Sequence, residues 1–152
     1  SFGDTYEDAD YGRANDLLAA LGIADLADRP FGTLSEGERQ RVSIARAVMA
    51  DPEIAIFDEP TAGLDLGARE TLVAALGEIM SSPMAPTVIL ITHEIEEIAP
   101  GFTHVALMKN GRLTKVGPIA EILTGENLTD TFDVELVVER SGSRWWAHST
   151  KE

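Results

Sequence analysis

IAIFDEP, residues 54–60, is the stretch on which the fold turns. Ile54, Ala55, Ile56 and Phe57 are consecutive and apolar with no alternation, which predicts a strand buried on both faces, as in a parallel sheet covered by helices. Asp58 and Glu59 stand at its carboxyl end, and Pro60 stops it. In open α/β sheets ligands bind at that edge, so adjacent carboxylates there point to a metal–phosphate site. The plainer alternative is a pair of carboxylates that only cap the next turn.

The stretches on either side agree with this frame. TVILIT, residues 87–92, predicts a second strand apolar on both faces, which places His93 on the same carboxyl edge. Upstream, TLSEGERQ (residues 33–40) opens a helix: Ser35 is a good N-cap, and Glu38 three residues on completes a capping box. Ile44, Ala45, Val48 and Met49 form its inward stripe, and Asp51-Pro52 ends it. Arg39, Gln40, Arg41 and Arg46 fall on the polar face. A further helix is expected over 66–80 with Leu72, Leu76, Ile79 and Met80 buried.

At the amino end, residues 1–10 are polar and acidic and read as a loose lead-in. Ala14, Leu17, Leu18 and Leu21 then space out an amphipathic helix over 13–21, stopped by Gly22. Residues 23–31 read as a short helix or turn. After an acidic helical piece at 94–98, a strand at 104–109, the turn Asn110-Gly111 and a strand at 112–116 predict a hairpin. A short helix over 118–123 follows, opened by Pro118. A last strand pair is expected at 134–138 and 144–147, around Ser141-Gly142-Ser143. Strands alternating with helices give an α/β layered class.

The chain has 152 residues, 44% of them hydrophobic, enough for one domain with a real core. Its 26 acidic against 12 basic residues give a net charge of −14, which argues against a nucleic-acid partner, because phosphate contacts come from Lys and Arg clusters. With no cysteine, disulfides and thiolate metal sites are excluded. Apolar runs such as 88–91 and 105–108 are far short of the roughly 20 residues of a membrane helix, so a membrane role would go through a partner. The first ten residues lack the basic-then-apolar pattern of a signal peptide. A start without Met is what an excised or processed fragment would show.

Taken in order, TLSEGERQ, IAIFDEP, the AGLD of residues 62–65 and His93 in ILITHE resemble the second half of an ABC-type ATPase: signature loop, Walker B strand with catalytic glutamate, D-loop and switch histidine. The resemblance covers roughly residues 17–123. It implies a partial P-loop NTPase fold, α/β, with a mainly parallel sheet flanked by helices. Residues 1–34 would be the end of a helical subdomain, 35–125 part of the catalytic core, and 126–152 a C-terminal strand pair. The implied cofactors are ATP and Mg²⁺. Asp58 would orient the metal, Glu59 would polarise the attacking water, with burial able to raise its basicity, and His93 would sense the γ-phosphate. Ser35, Gly37 and Glu38 of the signature would meet a γ-phosphate held by the opposite subunit, and Asp65 would link the two sites. His104 and His148 match no motif.

The implied protein is the ATP-binding subunit of a transporter, cytoplasmic and peripheral at the inner face of the membrane. Its partners would be a second such subunit, head to tail, and a transmembrane permease. FTHVALMKNGRLTKVGP (residues 102–118) resembles the closing part of stand-alone transporter ATPases. Two other readings stay open: a soluble ABC-type ATPase acting on nucleic acid or ribosomes, and a non-catalytic degenerate module.

The sequence departs from the family pattern in two respects. Glu36 and Glu38 replace a glycine and the glutamine of LSGGQ. A carboxylate about 4 Å from a phosphate costs about 1 kcal/mol in water and about 4 at an effective dielectric of 20, so both must turn away. A Walker A loop, G-x-x-x-x-G-K-[ST], is also absent, since the only lysines are Lys109, Lys115 and Lys151. The chain alone is therefore expected neither to bind ATP tightly nor to hydrolyse it. Its sheet should leave an apolar edge or face exposed or covered by another copy, so self-association is expected.

Overall fold

The computed structural model describes residues 6–150. Contacts divide the chain into two compact units, cut between His93 and Glu94. The expected boundaries at 34/35 and 125/126 follow motifs instead, and do not coincide with this cut.

In the first unit, helix α1 (Asp8–Ala20) opens on a reciprocal cap between Glu7 and Asp10. It begins five residues before the expected start at Arg13. The last three residues of the acidic lead-in read as loose, 8–10, are helical, because Asp8 and Asp10 favour the positive end of the helix dipole. Residues 1–5 of that lead-in lie outside the described residues. The stop at Gly22 is as expected, with φ of 67°. Arg13 ties α1 to the far end of the next helix, donating to Val48 O and Asp51 Oδ1, both at 3.1 Å.

Helix α2 (Glu36–Met49) and helix α3 (Leu66–Ser81) bury most of the predicted apolar stripes, with Met49 and Met80 only half-buried. Ile44, Ala45 and Val48 face inward on α2, and Leu72, Leu76 and Ile79 on α3, joined there by Val73 and Ala75. Strand β1 (Ile54–Asp58) pairs in parallel with β2 (Thr87–Ile91), setting Ile56 beside Ile89 and Asp58 beside Ile91.

Burial of this pair corrects the expectation of two covered faces. Ala55 and Phe57 are buried, but Ile54 and Ile56 are 56% and 61% exposed, and Ile89 and Ile91 43% and 47%. The protein covers one face of the sheet, so residues alternate in exposure although all are apolar. Apolar composition shows what a strand can bury, and only the packed neighbours show what it does bury.

The second unit opens with a short 3-10 turn, Ile95–Glu97, and two hairpins carry most of the rest. Strands β3 (His104–Lys109) and β4 (Arg112–Pro118) join through Asn110 and Gly111, whose φ values of 52° and 73° are those a tight two-residue turn requires. Strands β5 (Leu136–Ser141) and β6 (Arg144–Ser149) pair antiparallel around Gly142. Between the hairpins lie α4 (Ile119–Ile122) and α5 (Gly125–Phe132). The core holds Ile98, Leu107, Ile119, Leu123 and Leu128, with Val138 and Trp145 packed against it.

Helix α5 has no counterpart in the sequence reading. Thr124 Oγ1 caps it by accepting from Asn127 N at 3.2 Å, and Asp133 ends it in the left-handed region at φ 58°. Among the described residues the parallel pairing is β1–β2, and the other two sheets are antiparallel hairpins.

Candidate functional site

The parallel register brings the ends of β1 and β2 together. One residue past β1, the Glu59 amide donates to Ile91 O at 2.8 Å, so both chains leave the sheet at the same level. Glu59 has φ of 44°, a left-handed conformation that costs a non-glycine residue on the order of 1–3 kcal/mol. The tight turn continues with Ala62 N donating to Glu59 O at 3.1 Å and Leu64 N to Thr61 O at 3.0 Å, and Thr61 is buried. Glu59 Oε1 lies 3.2 Å from His93 Nδ1, within hydrogen-bond reach. Carboxylate and imidazole, 34 residues apart in sequence, converge on one edge.

This pair faces open space. The side chains of His93 and Glu59 are 65% and 48% exposed, so the burial expected to raise the basicity of Glu59 is not found. Asp58 is exposed beside them. No group of three or more His, Cys, Asp or Glu that could cage a metal occurs among the described residues. That donor set fits magnesium held in the usual way, through one or two carboxylates with phosphate oxygens and waters completing the shell.

The signature forms a second cluster. Ser35 N donates to Glu38 Oε2 at 2.7 Å, and Glu38 N to Ser35 Oγ at 3.3 Å, the reciprocal capping box that the sequence predicts. The bond from the Ser35 backbone, helped by its hydroxyl, holds the Glu38 carboxyl below its ordinary value. Glu36 turns the other way: its Oε2 accepts from Arg39 Nη2 at 2.8 Å, while Arg39 Nη1 donates to Leu34 O at 3.0 Å. Both departures from the usual signature are thus committed to partners in the helix or its N-cap.

Gly37 also sits in a tight packing position. A Cβ there would sit 3.2 Å from Ala68 Cβ and 3.7 Å from Leu64 Cδ2, so the glycine lets α2 approach the first turn of α3. Asp65 begins that turn, its Oδ1 accepting from Ala68 N at 2.8 Å as the N-cap of α3. Signature and D-loop are therefore in contact. The spacing of three between Glu36 and Arg39, on the polar face of α2, is the sequence signal of this ion pair.

The family model for the ABC transporter matches residues 3–62, which include the signature and the acidic strand end. The chain carries part of an ABC transporter ATP-binding domain. A Bacillus subtilis protein called an uncharacterized ABC transporter ATP-binding protein, YlmA, is 45% identical over 126 residues, 83% of this chain and 48% of that protein. The cobalt import ATP-binding protein CbiO of Rhodobacter capsulatus is 38% identical over 138 residues, 87% of this chain and 49% of its own. Among solved structures, an ABC transporter in an inward-facing conformation superposes with a TM-score of 0.77 at 28% identity, covering 97% of this chain and 59% of that one. The chain thus spans about half the length of the curated ABC relatives it matches. Among the described residues no helix is long and apolar enough to cross a membrane.

Proposed function

We propose that this chain supplies the signature, Walker B, D-loop and switch part of an ATP-hydrolysing subunit that powers solute movement through a membrane permease. The observation that carries the reading is the 3.2 Å approach of Glu59 Oε1 to His93 Nδ1 at the carboxyl edge of a parallel strand pair. Relatives named as import ATP-binding subunits for cobalt, methionine and molybdenum support transport as the coupled process. In this reading the chain works peripherally, at the inner face of the membrane.

Asp58 would hold a magnesium ion, which would supply neutralisation of the phosphate charge. Glu59 accepts a hydrogen bond from the attacking water and takes up its proton. His93, with a proton on Nδ1, donates to Glu59 and fixes the direction of that carboxylate. Ser35 and Gly37, at the start of α2, present backbone N–H groups to a triphosphate gripped by a second, head-to-tail subunit. Asp65, in the turn packed against Gly37, links the two halves.

The assignment predicts that Glu59→Gln in the full-length protein lowers ATP turnover by about 10²- to 10⁴-fold, the range for loss of a general base. Turnover within a few-fold of the parent, followed by steady-state phosphate release, removes Glu59 from this role.

A further inference from the structure

We propose that Arg39 is a positioning residue for the signature: it holds the Glu36 carboxylate to the side of the α2 N-terminus, and offsets its charge, so that a triphosphate can approach Ser35 and Gly37. The proposal rests on the reading above, in which that N-terminus receives a nucleotide held by a second subunit.

The first turn of α2 carries two carboxylates where phosphate would have to come. Glu38 is restrained by the backbone of Ser35. Glu36 is restrained by Arg39, which is itself fixed at a second point through Leu34 O. The guanidinium thus bridges the residue before the N-cap and the first residue of the helix, and its planar fork suits such a two-point grip. Without it, a carboxylate at the first helical position is drawn over the helix end by the positive end of the dipole. The same field attracts phosphate. A like charge held about 4 Å away costs about 1 kcal/mol in water, which is about fivefold in affinity.

The test measures ATP-driven association of the full-length protein by sedimentation in four versions: parent, Arg39→Gln, Glu36→Gln and the double variant. Arg39→Gln is expected to weaken association about fivefold at low salt, and less at high salt, where exposed charges are screened. In the Glu36→Gln background, the same change at Arg39 is expected to leave association unaltered. Equal losses in both backgrounds make Arg39 a simple stabiliser of α2 and overturn the proposal, as does no loss in either. Ser35→Arg separates the two levels. If it abolishes association while the Arg39 series stays flat, the proposal fails alone; if it changes nothing, the nucleotide reading of the signature fails and takes the proposal with it.

Discussion

At the residue scale, Glu59 is held in a conformation that glycine would adopt with less strain, at φ 44°. The turn places the glutamate where its carboxylate meets His93, so backbone strain and the reactive geometry share one position. Glu59→Gly is expected to stabilise the folded chain by about 0.5–1 kcal/mol in urea unfolding, because relief of that strain outweighs the extra chain entropy that glycine loses on folding. In the full-length protein, on the proposed assignment, it would lower turnover at least as far as Glu59→Gln. If Glu59 is the general base proposed above, His93→Ala leaves it in place but frees its direction, and a base misplaced by an ångström costs about 10²-fold, so phosphate release should fall by about that factor. An unchanged rate would mean that His93 does not orient Glu59.

At the scale of the element, α2 starts on a cap whose two halves differ in pH dependence. Ser35→Ala removes the hydroxyl acceptor and should destabilise the chain by about 1 kcal/mol at neutral pH. Glu38 behaves as a carboxyl whose folded-state value lies below its ordinary 4.5, chiefly through the Ser35 backbone N–H. Its contribution is therefore fully present above 4.5 and is lost as pH falls through the lowered folded value. Replacing Glu38 by Gln keeps an acceptor for the Ser35 amide and removes the titration. Unfolding of Glu38→Gln, compared with the parent from neutral to acid pH, should show a smaller acid loss. Identical acid limbs would refute the assignment.

For the whole molecule, the exposed apolar face of β1 and β2 is the feature that isolated residues do not explain. Ile54, Ile56, Ile89 and Ile91 lie on two paired strands, exposed between 43% and 61%. Burying each such side chain is worth about 1.5–3 kcal/mol, so the face favours any partner that covers it. The chain expressed by itself should sediment as a self-associated species. Placing lysine at Ile56 and Ile89 together, a like-charge pair directly opposed across the strands, should return it to monomer. A parent already monomeric in dilute solution would show that the face tolerates water.

Much of this was legible from the chain itself. The capping box, the Asn110-Gly111 hairpin, the order of strands and helices, and the carboxylates at a strand end all depend on neighbours within a few residues. Backbone dihedral preferences and short-range hydrogen bonds encode such features directly. The left-handed Glu59, the one-sided burial of β1 and the closeness of Gly37 to Ala68 depend instead on what arrives from distant sequence. Helix α5 shows the same limit, since Leu128 at its centre is sealed by the unit 2 core and eight residues hold little helix on their own. Sequence determined which chemistry could be present. Tertiary structure decided which groups meet, because parallel pairing of β1 with β2 fixes Glu59 and His93 at one level across a separation of 34 residues.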